Sequence, residues 1–262
     1  MRREVTVACL AIFLSVGVNF PVVAQQPAPS PIITRRTVLQ TITTLTGQPL
    51  QFPLFRSVVT GVLVELAPGG QTGPQRFFVP TVLYLLEGTL TAEFEGSAPR
   101  AIAAGQAVVL STNIASNGRN LGTTPARWLA VTFADASKLA VSPPAAPPVG
   151  LRTTLVVRTT KTWTGEDIVF PLLANQLSVS VSESPPGAAT ERHVHPHTQF
   201  IYVLEGVFTV QAEGPSIASF AAGQALVETT RPHFGANRAS VVQRYVTVFA
   251  GEAGVPLTVP RP

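Results

Sequence analysis

HVHPHTQFIYVLEG, residues 193–206, sets three histidines within five positions ahead of an apolar run that ends in Leu-Glu-Gly, in a chain of 262 residues with only four histidines. His193 and His195 have the same parity along an extended chain, so both project from one face and approach a common point. A straight strand would carry residue 199 about 20 Å beyond His193, at roughly 3.3 Å per residue, so Gln199 joins them only if Pro196-His197-Thr198 turns the chain back. The fourth histidine, His233, lies in TTRPHFGAN, where a later strand can return and bring a third imidazole to the same point.

Working outward, the chain repeats itself. Residue 34 laid on 152, and so on to 112 on 230, aligns Thr46-Gly47 with Thr164-Gly165, Phe52-Pro53-Leu54 with Phe170-Pro171-Leu172, and Leu86-Glu87-Gly88 with Leu204-Glu205-Gly206. AAGQA occurs at both 103–107 and 221–225. Beyond it the first copy reads as about two residues longer in one loop, with Phe133-Ala134 meeting Phe249-Ala250. This is a duplication, not a many-unit solenoid. The positions expected to match the histidine region are Gln75, Phe77, Thr81 and Ala115, which offer no nitrogen-rich site. The fold therefore does not require the histidines.

Between the copies, SPPAAPPVG at 142–150 carries four prolines and no charge, and reads as a stiff extended linker. Each copy is a series of short apolar strands separated by turn residues, the pattern of a sandwich or small barrel. Gly88 and Gly206 mark tight turns or bulges between strands. Only 12% of residues are charged, while Pro and Gly are plentiful, a composition that favours an all-β protein. The formal charge of +4 comes from scattered arginines, with no stripe to neutralise phosphates, so nucleic acid is not an expected partner.

Arg2 and Arg3, the largely apolar stretch from Val5 to Phe20 and the small residues up to Ala24 form the three parts of a secretory signal over 1–24. The apolar run breaks at Asn19 and Pro21, short of the ~20 residues that span a bilayer, so no stable membrane insertion is expected after cleavage. The one cysteine, Cys9, lies within this signal, which leaves the exported chain without disulfides or a thiolate. The expected layout is a signal peptide at 1–24, a unit at 25–141 without metal ligands, a linker at 142–150 and a metal-binding unit at 151–262.

Gly187-x5-His193-x-His195-x3-Gln199-x6-Gly206 resembles the first motif of the cupin superfamily, G-x5-H-x-H-x3,4-E-x6-G, and the segment from Gly223 through His233-x3-Asn237 is similar to the second. With the duplication, the resemblance implies a bicupin: two tandem double-stranded β-helix (jelly-roll) barrels. It also implies that His193, His195 and His233 ligate a divalent transition metal (Mn, Fe, Ni, Zn or Cu), with Gln199 where many cupins have glutamate. Gln199 offers a neutral carbonyl oxygen and cannot act as a general base. His197 and Arg231 are candidate substrate-binding residues, with Arg192 and Arg238 also flanking the motifs. No Ser-His-Asp arrangement and no phosphate-cradling glycine loop competes with this reading. The expectation is an exported, periplasmic or secreted, cupin enzyme of dioxygenase, isomerase or decarboxylase type acting on a small oxygen-rich molecule, with a homodimer as its candidate assembly. The alternative is a non-catalytic protein that binds a small molecule through its metal.

Overall fold

The computed structural model describes residues 31–261, so the signal expected at 1–24 lies outside the described residues. Among these residues there are strands and turns and no helix. The strands form three sheets. One, of nine strands, gathers the strands of the first repeat from Ser57–Gln71 to Ala126–Asp135 together with Val149–Thr159. The second repeat forms two five-stranded sheets. One runs in the order Thr34–Thr41, Asn175–Ser184, Gln243–Glu252, Thr198–Glu205 and Ala225–Val227, and the other contains His193–Val194 and His233–Ala236.

The opening strand of each repeat lies on the sheet of the other. Thr34–Thr41 pairs antiparallel with Asn175–Ser184, and Val149–Thr159 pairs antiparallel with Ser57–Gln71. The units expected at 25–141 and 151–262 thus exchange their first strands across the proline segment. That segment runs docked against the first repeat, where the amide of Ala145 donates to the carbonyl of Pro74 at 2.7 Å and that of Ser142 to the carbonyl of Arg76 at 2.8 Å.

Side-chain alternation explains why TQFIYVLE is apolar almost throughout. Phe200 and Tyr202 point into a core shared by both repeats, beside Val59, Val131 and Phe133. Ile201 and Val203 point the other way, into a separate core of the second repeat with Phe208, Leu226 and Tyr245. The strand is buried on both faces, so both parities are apolar. In the shared core Phe52, Phe133 and Phe170 have ring centroids 5.6–5.7 Å apart. Full burial of one such side chain contributes about 1.5–3 kcal/mol. Gly61 is required there: a Cβ on it would lie 2.8 Å from the ring of Phe200.

Leu-Glu-Gly ends the strand in both copies, as expected. Gly88 and Gly206 both have φ of +74°, the left-handed region that suits glycine. A Cβ on Gly206 would lie 2.9 Å from the carbonyl oxygen of Val242. From this turn the chain passes from one five-stranded sheet of the second repeat to the other.

Strand pairing corrects the alignment of the repeats beyond AAGQA. Gln75 pairs with Ser116 where His193 pairs with His233, and Thr81 pairs with Thr132 where Gln199 pairs with Phe249. The first copy is therefore one residue longer, not two. The counterpart of His233 is Ser116, not Ala115, and Phe249 answers to Thr132. Two asparagines agree with this register: Asn120 Nδ2 donates to the carbonyls of Leu66 and Thr124, and Asn237 Nδ2 donates to those of Ser184 and Val241. The asparagine of the second motif is thus a structural pin common to both copies.

Candidate metal centre

His193 stands in the two-residue strand His193–Val194, which pairs with His233 on one side and with Val259–Pro260 on the other. The chain then bends through Pro196 and His197 and enters the strand Thr198–Glu205, the reversal that Gln199 needs to meet the histidines. Gln199 shares the parity of Ile201 and Val203, so it faces the interior of the second repeat.

Each imidazole is oriented by a backbone carbonyl. Nδ1 of His193 donates to Glu191 O at 2.7 Å, Nδ1 of His195 to Leu257 O at 2.8 Å, and Nδ1 of His233 to Arg231 O at 2.7 Å. A carbonyl only accepts, so the proton sits on Nδ1 and the Nε2 lone pair is left free. The ring centroids lie 4.5–5.0 Å apart. One ligand nitrogen from each ring lies within 4.8 Å of the others. Nε2 of His195, Nε2 of His233 and Oε1 of Gln199 are buried without a hydrogen-bond partner. Orphaned buried acceptors converging on one point are costly unless something electropositive lies among them.

Glu228, which no motif position marks, borders the same cavity as His193 and His195. Its side chain is 4% exposed, with one carboxylate oxygen 3.6 Å from His195 Nε2 and the other 3.4 Å from His233 Nε2. These distances are long for hydrogen bonds. They match donor atoms around one ion, since ligand bonds of about 2.1 Å in a tetrahedron place neighbouring donors about 3.4 Å apart. Three neutral imidazoles, a carboxylate and an amide oxygen fit a divalent transition metal. The cavity among them measures about 20 Å³, room for an ion or one water.

Titration follows from this enclosure. Burial, with the neighbouring histidines, pushes His193 down to about 4, against the pull of the Glu191 carbonyl and Glu228. Burial likewise lowers His233. For Glu228 burial works to raise the pKa, but the facing imidazoles, His195 foremost, hold it below the ordinary carboxylate value. His193 and His233 are therefore held neutral beside an ionised Glu228, the protonation states a cation requires.

Other expected residues fall elsewhere. Arg231 lies 2.6 Å from Glu166, Arg192 lies 3.3 Å from Glu213, and Arg238 donates to Gln211. None of the three lines the histidine cavity. Glu166 also accepts from Thr162, Thr164 and Thr229, so Arg231 serves to fasten the loop before His233. His197 stands outside the cluster, 4.0 Å from Glu252. It lines a cleft of about 510 Å³ that Glu228 also borders. Among the described residues the arginine that reaches the cavity is Arg35, delivered by the exchanged strand and donating to Ser182 at 3.3 Å.

Residues 180–249, which hold most of this site, match the family model for a cupin domain. Its fold is a cupin fold. The chain is similar to oxalate decarboxylase from Bacillus subtilis, at 12% identity and a TM-score of 0.57 over 88% of this chain and 79% of that one. It is similar to the oxalate decarboxylase of Lactobacillus farciminis solved as a formate complex, at 14% identity and a TM-score of 0.58 over 92% and 91%. It is also similar to the coconut allergen cocosin, at 11% identity and a TM-score of 0.54 over 74% and 77%. No curated protein matches the chain in sequence.

Proposed function

We infer that the chain is an exported bicupin that holds one divalent transition metal ion through His193, His195 and His233, with Glu228 and Gln199 as further oxygen donors, and acts there on a small oxygen-rich acid or enol. The observation that carries this reading is the convergence of free Nε2 lone pairs and an orphaned amide oxygen on one buried point beside a carboxylate. A bound ion would supply Lewis-acid polarisation of substrate oxygens, or a centre for dioxygen chemistry if redox-active.

The chain's own residues support the rest. Glu228 borders both the histidine cavity and the 510 Å³ cleft, so it is placed to take or return a proton between them. It restores the carboxylate missing at position 199, and with it the option of proton-transfer chemistry of decarboxylase or isomerase type. Arg35 brings a fixed positive charge toward an anionic substrate. The B. subtilis oxalate decarboxylase has Mn(II) centres, which makes manganese the first ion to test and oxalate the first substrate.

One observation favours a second reading, a non-catalytic protein in which the metal holds a ligand or stiffens the fold: the cavity at the histidines has little room beyond an ion. The two are separated by loading the purified protein with manganese, iron, nickel, zinc or copper and following oxygen uptake and carbon dioxide release on oxalate and on hydroxy and enolic acids. Turnover that is lost in Glu228→Gln while the metal stays bound supports the enzyme. One bound equivalent of metal with no turnover on any acid supports the binding protein. Amino-terminal sequencing of the exported chain tests cleavage after Ala24, and sedimentation tests the homodimer.

A further inference from the structure

We propose that the first repeat holds a second binding site, for a small neutral aromatic or alicyclic molecule, in the cavity that stands where the second repeat has its histidines. Strand register matches the two sites residue by residue. His193, His195, Gln199, Glu228 and His233 answer to Gln75, Phe77, Thr81, Leu110 and Ser116, and Arg35 on its exchanged strand answers to Thr153 on the other. All six of these counterparts line one cavity of about 240 Å³. The polar, charged centre of one repeat is thus replaced, position for position, by an uncharged chamber.

The chamber is open for a reason visible in the packing. In the second repeat Phe208 lies against Tyr245 with centroids 5.0 Å apart, and Phe249 lies against His195 at 5.3 Å. The counterparts of Phe208 and Phe249 are Leu90 and Thr132, both smaller and both lining the cavity, while Tyr245 and His195 answer to Trp128 and Phe77, which stand in its walls. The same fold therefore leaves about 240 Å³ in the first repeat and about 20 Å³ in the second.

Its chemistry defines the occupant. Val64, Leu83, Phe94 and Trp128 form apolar walls, and among the described residues no Asp, Glu, Lys or Arg lines the cavity, so an ion would enter without a counter-charge. Gln75, Thr81 and Ser116 give donors and acceptors for one hydroxyl or carbonyl. An apolar cavity of about 150 Å³ accepts benzene, so one of this size suits roughly ten heavy atoms. Phe77, Val141 and Leu151 are partly exposed lining residues, so the chamber has an entrance. This site is independent of the metal reading.

The probe is 2-naphthol, a neutral bicycle with one hydroxyl, set against 2-naphthoate of similar size. Trp163→Phe leaves Trp128 as the one tryptophan, and titration of the full chain is followed by calorimetry and by Trp128 quenching. One saturable equivalent of 2-naphthol is expected, with 2-naphthoate at least tenfold weaker. Leu90→Phe, which installs the residue of the second repeat, should weaken binding at least tenfold with metal content unchanged. If Leu90→Phe does not fold, Ala92→Val, which copies Val210, fills the same wall. Absence of saturable binding, equal binding of the anion, undiminished binding in a folded cavity-filled variant, or loss of binding in His195→Ala would each overturn the proposal.

Discussion

Glu228 places one carboxylate oxygen 3.4 Å from His233 Nε2 and the other 3.6 Å from His195 Nε2, where the first repeat has Leu110. Without an ion, a buried carboxylate faced by neutral imidazoles is expensive to desolvate. With an ion it is placed to balance the charge or to serve as a further oxygen donor. Glu228→Leu is therefore expected to act in opposite directions on two measurements. Metal affinity should fall by about 10–100-fold or more, the range for loss of a group that tunes a metal site. The melting temperature of the EDTA-treated protein should hold or rise. A variant that keeps full affinity would remove Glu228 from the centre.

The pH dependence of the metal-free protein follows from His193. Its pKa is about 4 when folded, against 6.5 ordinarily, so between pH 6.5 and 4 the unfolded chain binds more protons. Stability is therefore present above pH 6.5 and is lost as the pH falls through that window. His233, also lowered, adds in the same direction. Urea midpoints of EDTA-treated protein at pH 7, 5.5 and 4.5 should decrease in that order. His193→Gln, which copies Gln75, should flatten the trend, and an unchanged slope in that variant would contradict the assignment.

The exchanged strands make a prediction about cutting the chain. A fragment of residues 25–146 lacks the 11-residue strand Val149–Thr159, and a fragment of 147–262 lacks the eight-residue strand Thr34–Thr41. Each alone leaves a long sheet edge unpaired and exposes its part of the shared core. Separately, the fragments should aggregate or melt without cooperativity; produced together, they should recover a cooperative transition. Either half melting cooperatively by itself would show that the exchange is dispensable.

The strands and the histidine cluster were legible in the sequence because both depend on short-range spacing: parity put His193 and His195 on one face, and Pro196-His197 supplied the bend that lets Gln199 join them. Glu228 was legible in principle. It shares parity with Leu226 two positions earlier, an interior residue, and an acid at an interior parity where the other copy has leucine signals function. No motif position marks it. Arg35 could not be found this way, since it reaches the centre through a strand exchange that no local pattern encodes. The one-residue error that matched Ala115, not Ser116, to His233 arose in a loop, where an insertion leaves no periodicity to keep the register.

The most direct test of the metal centre is metal content by mass spectrometry on the purified chain, wild type beside His195→Ala. About one equivalent of a single transition metal is expected in the wild type, or after its reconstitution from the EDTA-treated form. His195→Ala, with its fold verified by circular dichroism, should retain less than about a tenth of that. Equal metal in both proteins, or none in the wild type even at saturating manganese, iron, nickel, zinc or copper, would contradict it.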